Sequence, residues 1–272
     1  MNGLHTYTDL VQGTQEWLDV RRGIVTASVV GQLITVSPPS PITAACPECG
    51  ANAGSPCVSR ARKEPAPIKT LHGTRVAADD EPPTISPASG DKARDLTALL
   101  AAERITGWTE PVFVSGDMMR GTLDEPIARE KYAEHHAPVR EVGFMIRDFG
   151  GYSIGYSPDG LVGDDGLIEI KSRKPKRHLA DVLADEVPAE NMAQIQCGLL
   201  VSGREWCDYV SFCGGMPLWV KRVTPDERWF GAIREAVHTF EQTVTQMVAT
   251  FTERTAGLPA TERIDHDLEL VI

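Results

Sequence analysis

Two carboxylates and a lysine stand at a spacing that suits phosphoryl chemistry. The stretch from Gly155 to Lys171 reads GYSPDGLVGDDGLIEIK, and nine residues separate Asp159 from Glu169. Ser157-Pro158-Asp159-Gly160 is a turn signal, because proline presets φ and glycine tolerates the left-handed region. Leu161-Val162 and Leu167-Ile168 flank a second turn, Gly163-Asp164-Asp165-Gly166, which predicts a hairpin. Side chains alternate faces along a strand, so Glu169 and Lys171 share one face while Ile168 and Ile170 enter a core. A returning hairpin brings Asp159 near Glu169. Hard cations such as Mg²⁺ take oxygen ligands and keep waters that a phosphate can displace. A lysine beside them can orient or activate a water, a combination suited to phosphodiester hydrolysis. The alternative for the bare pattern is an exposed hairpin of solvated charges.

A chain of 272 residues supports one sizeable domain with an insertion, or two small ones. Its net charge of −11 excludes a generally basic nucleic-acid coat. It leaves room for a nuclease, whose metal site concentrates acid while local basic patches hold DNA. No stretch approaches the ~20 apolar residues of a membrane span, and no signal peptide is expected. Six cysteines, three of them clustered, do not suggest a disulfide framework and fit a reducing cytoplasm.

The clustered cysteines lie in a segment unlike its surroundings. SPPSP at 37–41 and EPPTISP at 81–87 read as stiff linkers bracketing it. Cys46-x2-Cys49 is followed by Cys57 after seven residues and by His72 after fourteen more. Cys-Pro-x-Cys-Gly resembles a zinc knuckle, and Cys3His is a common closed tetrahedral site. A segment this poor in large apolar side chains needs a metal to order it, so Cys46, Cys49, Cys57 and His72 are the expected ligands of a structural Zn²⁺. His5, His135, His136 and His178 are alternatives outside the segment, and a disordered insert with free thiols is the bland reading. Arg60, Arg62, Lys63, Lys69 and Arg75 make the segment basic, which suggests a phosphate contact or simple solubility.

The remaining elements must position these groups. Thr14 is expected to cap a helix carrying Trp17, Leu18 and Val20 that Gly23 ends. Thr26 is expected to cap a second helix over Ala27–Ile34. Arg21, Arg22 and Ser28 then gather at a turn leading into a helix N-terminus, a place that binds anions. Asp91 caps a predicted helix to Ile105 with an apolar stripe of Leu96, Leu99, Leu100 and Ile105. Residues 116–136 predict a long helix, kinked near Pro126, with Met118, Met119, Leu123, Ile127 and Tyr132 as core. Strands are expected over 139–147, 152–156, 205–213 and 218–223. The basic run Ser172 to His178 is expected as a loop, solvated or touching a DNA backbone through residues such as Arg173. Helices are expected over 188–201, with Gln194 facing the metal site, and over 225–253.

Taken in order, the motifs are specific. They run Gly13-Thr14-x-Glu16-Trp17-x3-Arg21-x-Gly23-x2-Thr26-Ala27-Ser28, Gly121-x3-Glu125-x3-Arg129-x2-Tyr132, Ser157-Pro158-Asp159-Gly160-Leu161, Glu169-Ile170-Lys171 and Met192-Ala193-Gln194-Ile195-Gln196. Together they resemble the YqaJ-type viral recombinases, lambda-exonuclease-like members of the PD-(D/E)XK nucleases. The resemblance covers residues 12 to about 250 apart from the zinc-like insert. It implies an α/β fold with a mixed central sheet flanked by helices, and domain limits of 1–36 plus 91–254, an inserted segment at 37–90 and a tail at 255–272. It implies Asp159, Glu169 and the Ile170 carbonyl as ligands of Mg²⁺ or Mn²⁺, with Glu125 and Gln194 beside them and Lys171 as the catalytic lysine. Arg21, Ser28 and Ser157 match positions that hold a 5′-phosphate, and Asp148 falls near another acidic position.

The activity implied is 5′→3′ digestion of linear double-stranded DNA that feeds recombination in a bacterial cytoplasm. The implied partners are DNA ends, a single-strand annealing protein and further copies of the chain in a toroidal trimer. An endonuclease or repair nuclease on the same scaffold is one alternative. A non-catalytic zinc-containing DNA-binding protein is another.

Overall fold

The hairpin at the centre of the chain forms as its turn residues dictate. A computed structural model describes residues 3–37, 43–59, 65–77, 82–110 and 114–264. The first elements are β1 (Leu4–Tyr7), α1 (Gln15–Arg21), β2 (Val25–Thr26), α2 (Ala27–Val30), β3 (Ile34–Ser37), β4 (Val58–Ser59), β5 (Ala66–Pro67), α3 (Gly73–Ala77) and β6 (Thr84–Pro87). Then come α4 (Asp91–Thr106), α5 (Gly116–His135), β7 (Val139–Arg140), β8 (Phe144–Asp148), β9 (Ser153–Tyr156), β10 (Gly160–Val162) and β11 (Gly166–Ser172). The chain continues through α6 (Pro175–Ala184), α7 (Ala189–Ser202), β12 (Trp206–Phe212), β13 (Trp219–Val223) and α8 (Glu227–Thr255).

The fold is mixed α/β, with its strands in two principal sheets. A five-stranded sheet runs β13-β12-β11-β10-β7, and a four-stranded sheet runs β1-β8-β9-β2. β10 and β11 pair antiparallel, with Gly160 opposite Ile168 and Val162 opposite Gly166. β11 and β12 run parallel, which requires the crossover that α6 and α7 supply. Ile168 and Ile170 pack with Ala128, Tyr132 and Val210 on one face of this sheet. On the other side α7 is buried almost all round, through Ile195, Cys197, Leu199, Leu200 and Val201. It meets α2, α8 and β9 in the larger core. The turn from β9 to β10 holds Ser157, Pro158 and Asp159, so the candidate carboxylate sits where the chain passes between sheets.

Several local expectations hold. Thr14 accepts from the Trp17 N–H and caps α1. Helices and strands form at 91–106, 153–156, 189–202, 206–212, 219–223 and 227–255. Others are corrected. α2 spans only Ala27–Val30 and ends in a tighter turn at Gly31–Leu33, because Ile34 is already paired with Pro87 in β3–β6. Thr26 makes no side-chain cap, and its hydroxyl faces Ser28 instead. Thr84–Pro87 is therefore an edge strand, where proline costs no ladder bond, rather than a linker. Gly90, not Asp91, is the cap of α4, and Leu99 faces solvent.

In α5, Met118, Met119, Leu123 and Ile127 are exposed. The helix packs through its second half only, by Ala128 and Tyr132, and it continues through Pro126. The expected strand over 139–147 divides into β7 and β8, one in each sheet. The basic run does not remain a loop, since Pro175 opens α6 and His178 is buried. β1, an edge strand of only four residues, carries no sequence signal of its own. Residues 38–41, Glu81 and 265–272 of the expected linkers and tail lie outside the described residues.

Gly143 is the joint between the two sheets. A Cβ there would come within 1.9 Å of the Leu10 carbonyl oxygen, a backbone atom that cannot step aside cheaply. Gly143→Ala is expected to lower stability by about 2 kcal/mol or more, as overpacking against fixed atoms does. A urea midpoint unchanged from wild type would contradict this.

Candidate active site and zinc centre

A cleft of about 590 Å³ opens along the β9–β10 turn, and its walls gather residues far apart in sequence. They include Arg21 and Ser28 from the N-terminal elements, Glu125 from α5, Ser157 and Asp159 from the turn, Ile170, Lys171 and Arg173 from β11 and beyond, and Gln194 from α7. Asp159 Oδ2 accepts from the Ile170 N–H at 2.6 Å, which fixes the turn against β11. Glu169 and Lys171 lie on one face as an ion pair at 2.5 Å. Lys171 also donates to Gln194 Oε1 at 3.2 Å, so α7 sets the ammonium's second contact. Arg129 was quoted only as part of a motif, yet it joins the two sides of the cleft. It donates to the Asp159 carbonyl at 2.7 Å and pairs with Glu125 and Glu141.

The electrostatics single out the carboxylates. Glu169 is fully buried; the Lys171 ammonium meets Oε1, and Oε2 has no partner among the described residues. Burial, opposed by Lys171 and reinforced by Asp159, pushes its carboxyl from 4.5 up to about 7. Burial and the Asp159 charge likewise push Glu125 up to about 7. Burial raises Asp159 despite Lys171 and the Ile170 N–H. Burial alone would lower the Lys171 ammonium, but Glu169 and Asp159 outweigh it and hold it above its usual range. Crowded acids with an orphaned oxygen fit a hard divalent cation, which would satisfy oxygen ligands and relieve their mutual repulsion.

The part of the cleft lined by the N-terminal elements is built differently. The Arg21 guanidinium stacks on the Trp17 ring at 4.1 Å and makes no hydrogen bond or ion pair among the described residues. Burial lowers its pKa, and Glu103 opposes that. Trp17 donates to Ser157 Oγ at 3.1 Å, and Ser157 donates to the Gly143 carbonyl. Arg173 reaches the cleft, but its guanidinium is held by Asp181, Asn191 and Tyr209. Asp148 is exposed on the β8–β9 turn, where it accepts from Gly150 N–H, and it does not line the cleft.

The zinc-like quartet also assembles. The ligand atoms of Cys46, Cys49, Cys57 and His72 all lie within 4.8 Å of one another. Cys46 Sγ and His72 Nδ1 are 3.4 Å apart, close to the edge of about 3.5 Å that a tetrahedral zinc site gives. His72 Nε2 faces Glu48 at 3.5 Å, the outer-shell carboxylate that metal-ligating histidines favour. The Val58 backbone N–H lowers the Cys49 thiol to about 6, so it is a thiolate at neutral pH. Arg75 is fully buried and donates to Ala44 and Ser55 carbonyls and to Cys57 Sγ. It is thus a brace of the quartet rather than the phosphate contact suggested by its charge. Arg60, Arg62 and Lys63 lie outside the described residues. His178 is not a ligand here, being engaged with Ser211 and the Pro217 carbonyl.

Comparison with known proteins gives this arrangement a class. The structure is similar to that of an alkaline exonuclease, LHK-Exo, from Laribacter hongkongensis, at 25% identity and a TM-score of 0.65, covering 90% of this chain and 100% of that one. It is similarly close to LHK-Exo in complex with dAMP, at 25% identity and a TM-score of 0.64, with the same coverage. The fold is thus nuclease-like. Residues 86–205 match the model of the YqaJ-like viral recombinase domain. Residues 12–91 match the model described as "Putative DNA-binding phage zinc finger domain". No curated protein matches the chain. No helix among the described residues is long and apolar enough to cross a membrane.

Two measurements follow from the site. Carboxyls raised from 4.5 to about 7 hold protons in the folded chain that the unfolded chain has released. Their contribution to stability is complete below pH 4.5 and is lost as pH rises through 7. A divalent cation binds the ionised form, so the rise in Tm on adding Mg²⁺ should be larger at pH 8 than at pH 5.5. Equal rises at both would contradict the carboxylate site. Protein purified without added metal should carry roughly one equivalent of zinc, and Cys49→Ser should lose it. Zinc content unaffected by that change would count against the quartet.

Proposed function

We propose that the chain is a divalent-cation-dependent exonuclease that digests linear double-stranded DNA from 5′ ends and yields single strands for recombination. The observation that carries this reading is the convergence of Asp159, Glu169, Glu125, Lys171 and Gln194 beside a cleft that Arg21 also lines. A similar chain is an alkaline exonuclease that binds dAMP, which supports DNA as substrate. Asp159, Glu169 and the Ile170 carbonyl, with Glu125 alongside, would hold Mg²⁺ or Mn²⁺. When bound, that ion would supply Lewis-acid polarisation of the phosphate and a nucleophilic water at neutral pH.

The chain's own residues do the rest. Lys171 keeps its ammonium charged between Glu169 and Gln194 and offsets negative charge as it develops on the phosphate. Arg129 holds Glu125 and the Asp159 carbonyl in register. Arg21, with its fork unengaged, would take a terminal 5′-phosphate, joined by the Ser28 and Ser157 hydroxyls. Arg173, which lines the same cleft with its guanidinium held by Asp181, Asn191 and Tyr209, would brace this wall rather than grip the DNA backbone. Residues 1–36 and 91–254 would form the nuclease, and 37–90 the inserted zinc segment, which would steady the DNA path rather than catalyse, because its quartet leaves no open position. Assembly into a trimer, a single-strand annealing partner and a bacterial cytoplasmic setting complete the reading.

Linear duplexes labelled at 5′ or 3′ ends, with and without Mg²⁺, test it beside a covalently closed plasmid. Loss of 5′ label that requires Mg²⁺, with the plasmid intact, is expected. Asp159→Asn, Glu169→Gln and Lys171→Ala should each lower turnover by about 10³-fold or more while DNA binding persists. Nicking of the closed plasmid would favour an endonuclease. Near-normal turnover by Asp159→Asn would remove the site assignment.

A further inference from the structure

The turn that carries Arg21 is gripped from outside the cleft. We infer that Glu103 and Arg104 are positioning residues that set the chain's preference for a phosphorylated end, an inference that rests on the proposed role of Arg21. Glu103 Oε2 accepts from the Gly23 N–H at 2.7 Å, and Arg104 Nε donates to the Gly23 carbonyl at 2.7 Å. Two consecutive residues of one helix therefore hold both backbone groups of a single glycine. That glycine has φ +67°, and a Cβ on it would lie 2.4 Å from Arg104 Cγ. The arginine stem thus lies directly against the glycine's α-carbon.

The grip is rigid at its base. α4 is 16 residues long and packs its Leu96 and Leu100 into the core. Arg104 Nη1 and Nη2 bind Glu241 of α8 at 2.6 and 2.8 Å, a bidentate brace that fixes the guanidinium plane. Glu103 is 7% exposed, and among the described residues the Gly23 N–H is the hydrogen-bond partner of its carboxylate.

Arg21 stands two residues before Gly23. Its side chain lies on Trp17, which is tied to Ser157 at the other side of the cleft. The stacked arginine is thus fixed through its ring by the β9–β10 turn and through its backbone by α4. Loosening Gly23 moves the fork relative to the carboxylates without touching them. A displacement of that kind weakens capture of the end before it affects the chemical step.

Steady-state digestion of linear duplexes with 5′-phosphate or 5′-hydroxyl ends reads this directly. Glu103→Ala should raise KM for phosphorylated ends by about tenfold, leave kcat within about twofold and leave hydroxyl ends unchanged. Glu103→Gln keeps an acceptor for the Gly23 N–H and should retain most of the preference. If Glu103→Ala does not fold, Glu241→Ala frees Arg104 from a partly buried ion pair and should reduce the preference by about threefold. A wild-type chain with equal KM on both ends would refute the end-recognition reading itself. A wild-type preference that survives Glu103→Ala, or survives Glu241→Ala where the former is unfolded, would refute the clamp alone. Equal loss on both kinds of end, or a Glu103→Gln variant as impaired as Glu103→Ala, would also overturn it.

Discussion

The fold is organised around a fully buried carboxylate whose one close partner among the described residues is a lysine. Glu169 lies in the middle of β11 with no exposed surface, between a strand on each side and beside a lysine. A charge so placed is costly unless something neutralises it. Lys171 answers part of that demand, and Asp159 and Glu125 add to it. The surrounding elements hold the group in place despite its cost. β10 and β12 flank the strand, α5 and α7 cover its faces, and the β9–β10 turn delivers Asp159 through a short hydrogen bond to Ile170. A site that stores this much repulsion before a cation arrives is suited to bind one tightly and to hold it close to a phosphate.

The parts of the site visible from sequence were those fixed locally. Pro158, Gly160, Gly163 and Gly166 specify both turns, and strand alternation then puts Glu169 and Lys171 together. The Thr14 cap and the cysteine spacing are local signals of the same kind. Gln194 could be placed because a polar residue in an otherwise buried helix needs a partner. What stayed hidden was set by distant pairing. Thr84–Pro87 is a strand because β3 lies beside it, and proline-rich composition gives no hint of that. The methionines of α5 follow helical spacing but are exposed among the described residues. Pro175 was a legible signal for the start of α6, and it was outweighed by the basic residues around it.

Charge alone also misleads about role. Arg75 and Arg173 both belong to basic stretches, yet one is buried behind the cysteine quartet and the other is held by Asp181, Asn191 and Tyr209. Arg21 has no such partner and lies on an aromatic ring facing the cleft. Guanidinium groups in one chain thus divide into those that acceptors already surround and one, Arg21, left for the proposed phosphate. The two candidate metal sites would divide by softness in the same way, thiolates suiting zinc and crowded carboxylates a harder ion.

Crystals soaked in Mn²⁺ and measured for anomalous scattering on either side of the manganese and zinc edges would examine the carboxylate site most directly. Manganese density bounded by Asp159, Glu169 and the Ile170 carbonyl is predicted, absent in Asp159→Asn, with separate zinc density among Cys46, Cys49, Cys57 and His72. Zinc density alone, with none beside Glu169, would contradict a cation-dependent active site in this cleft.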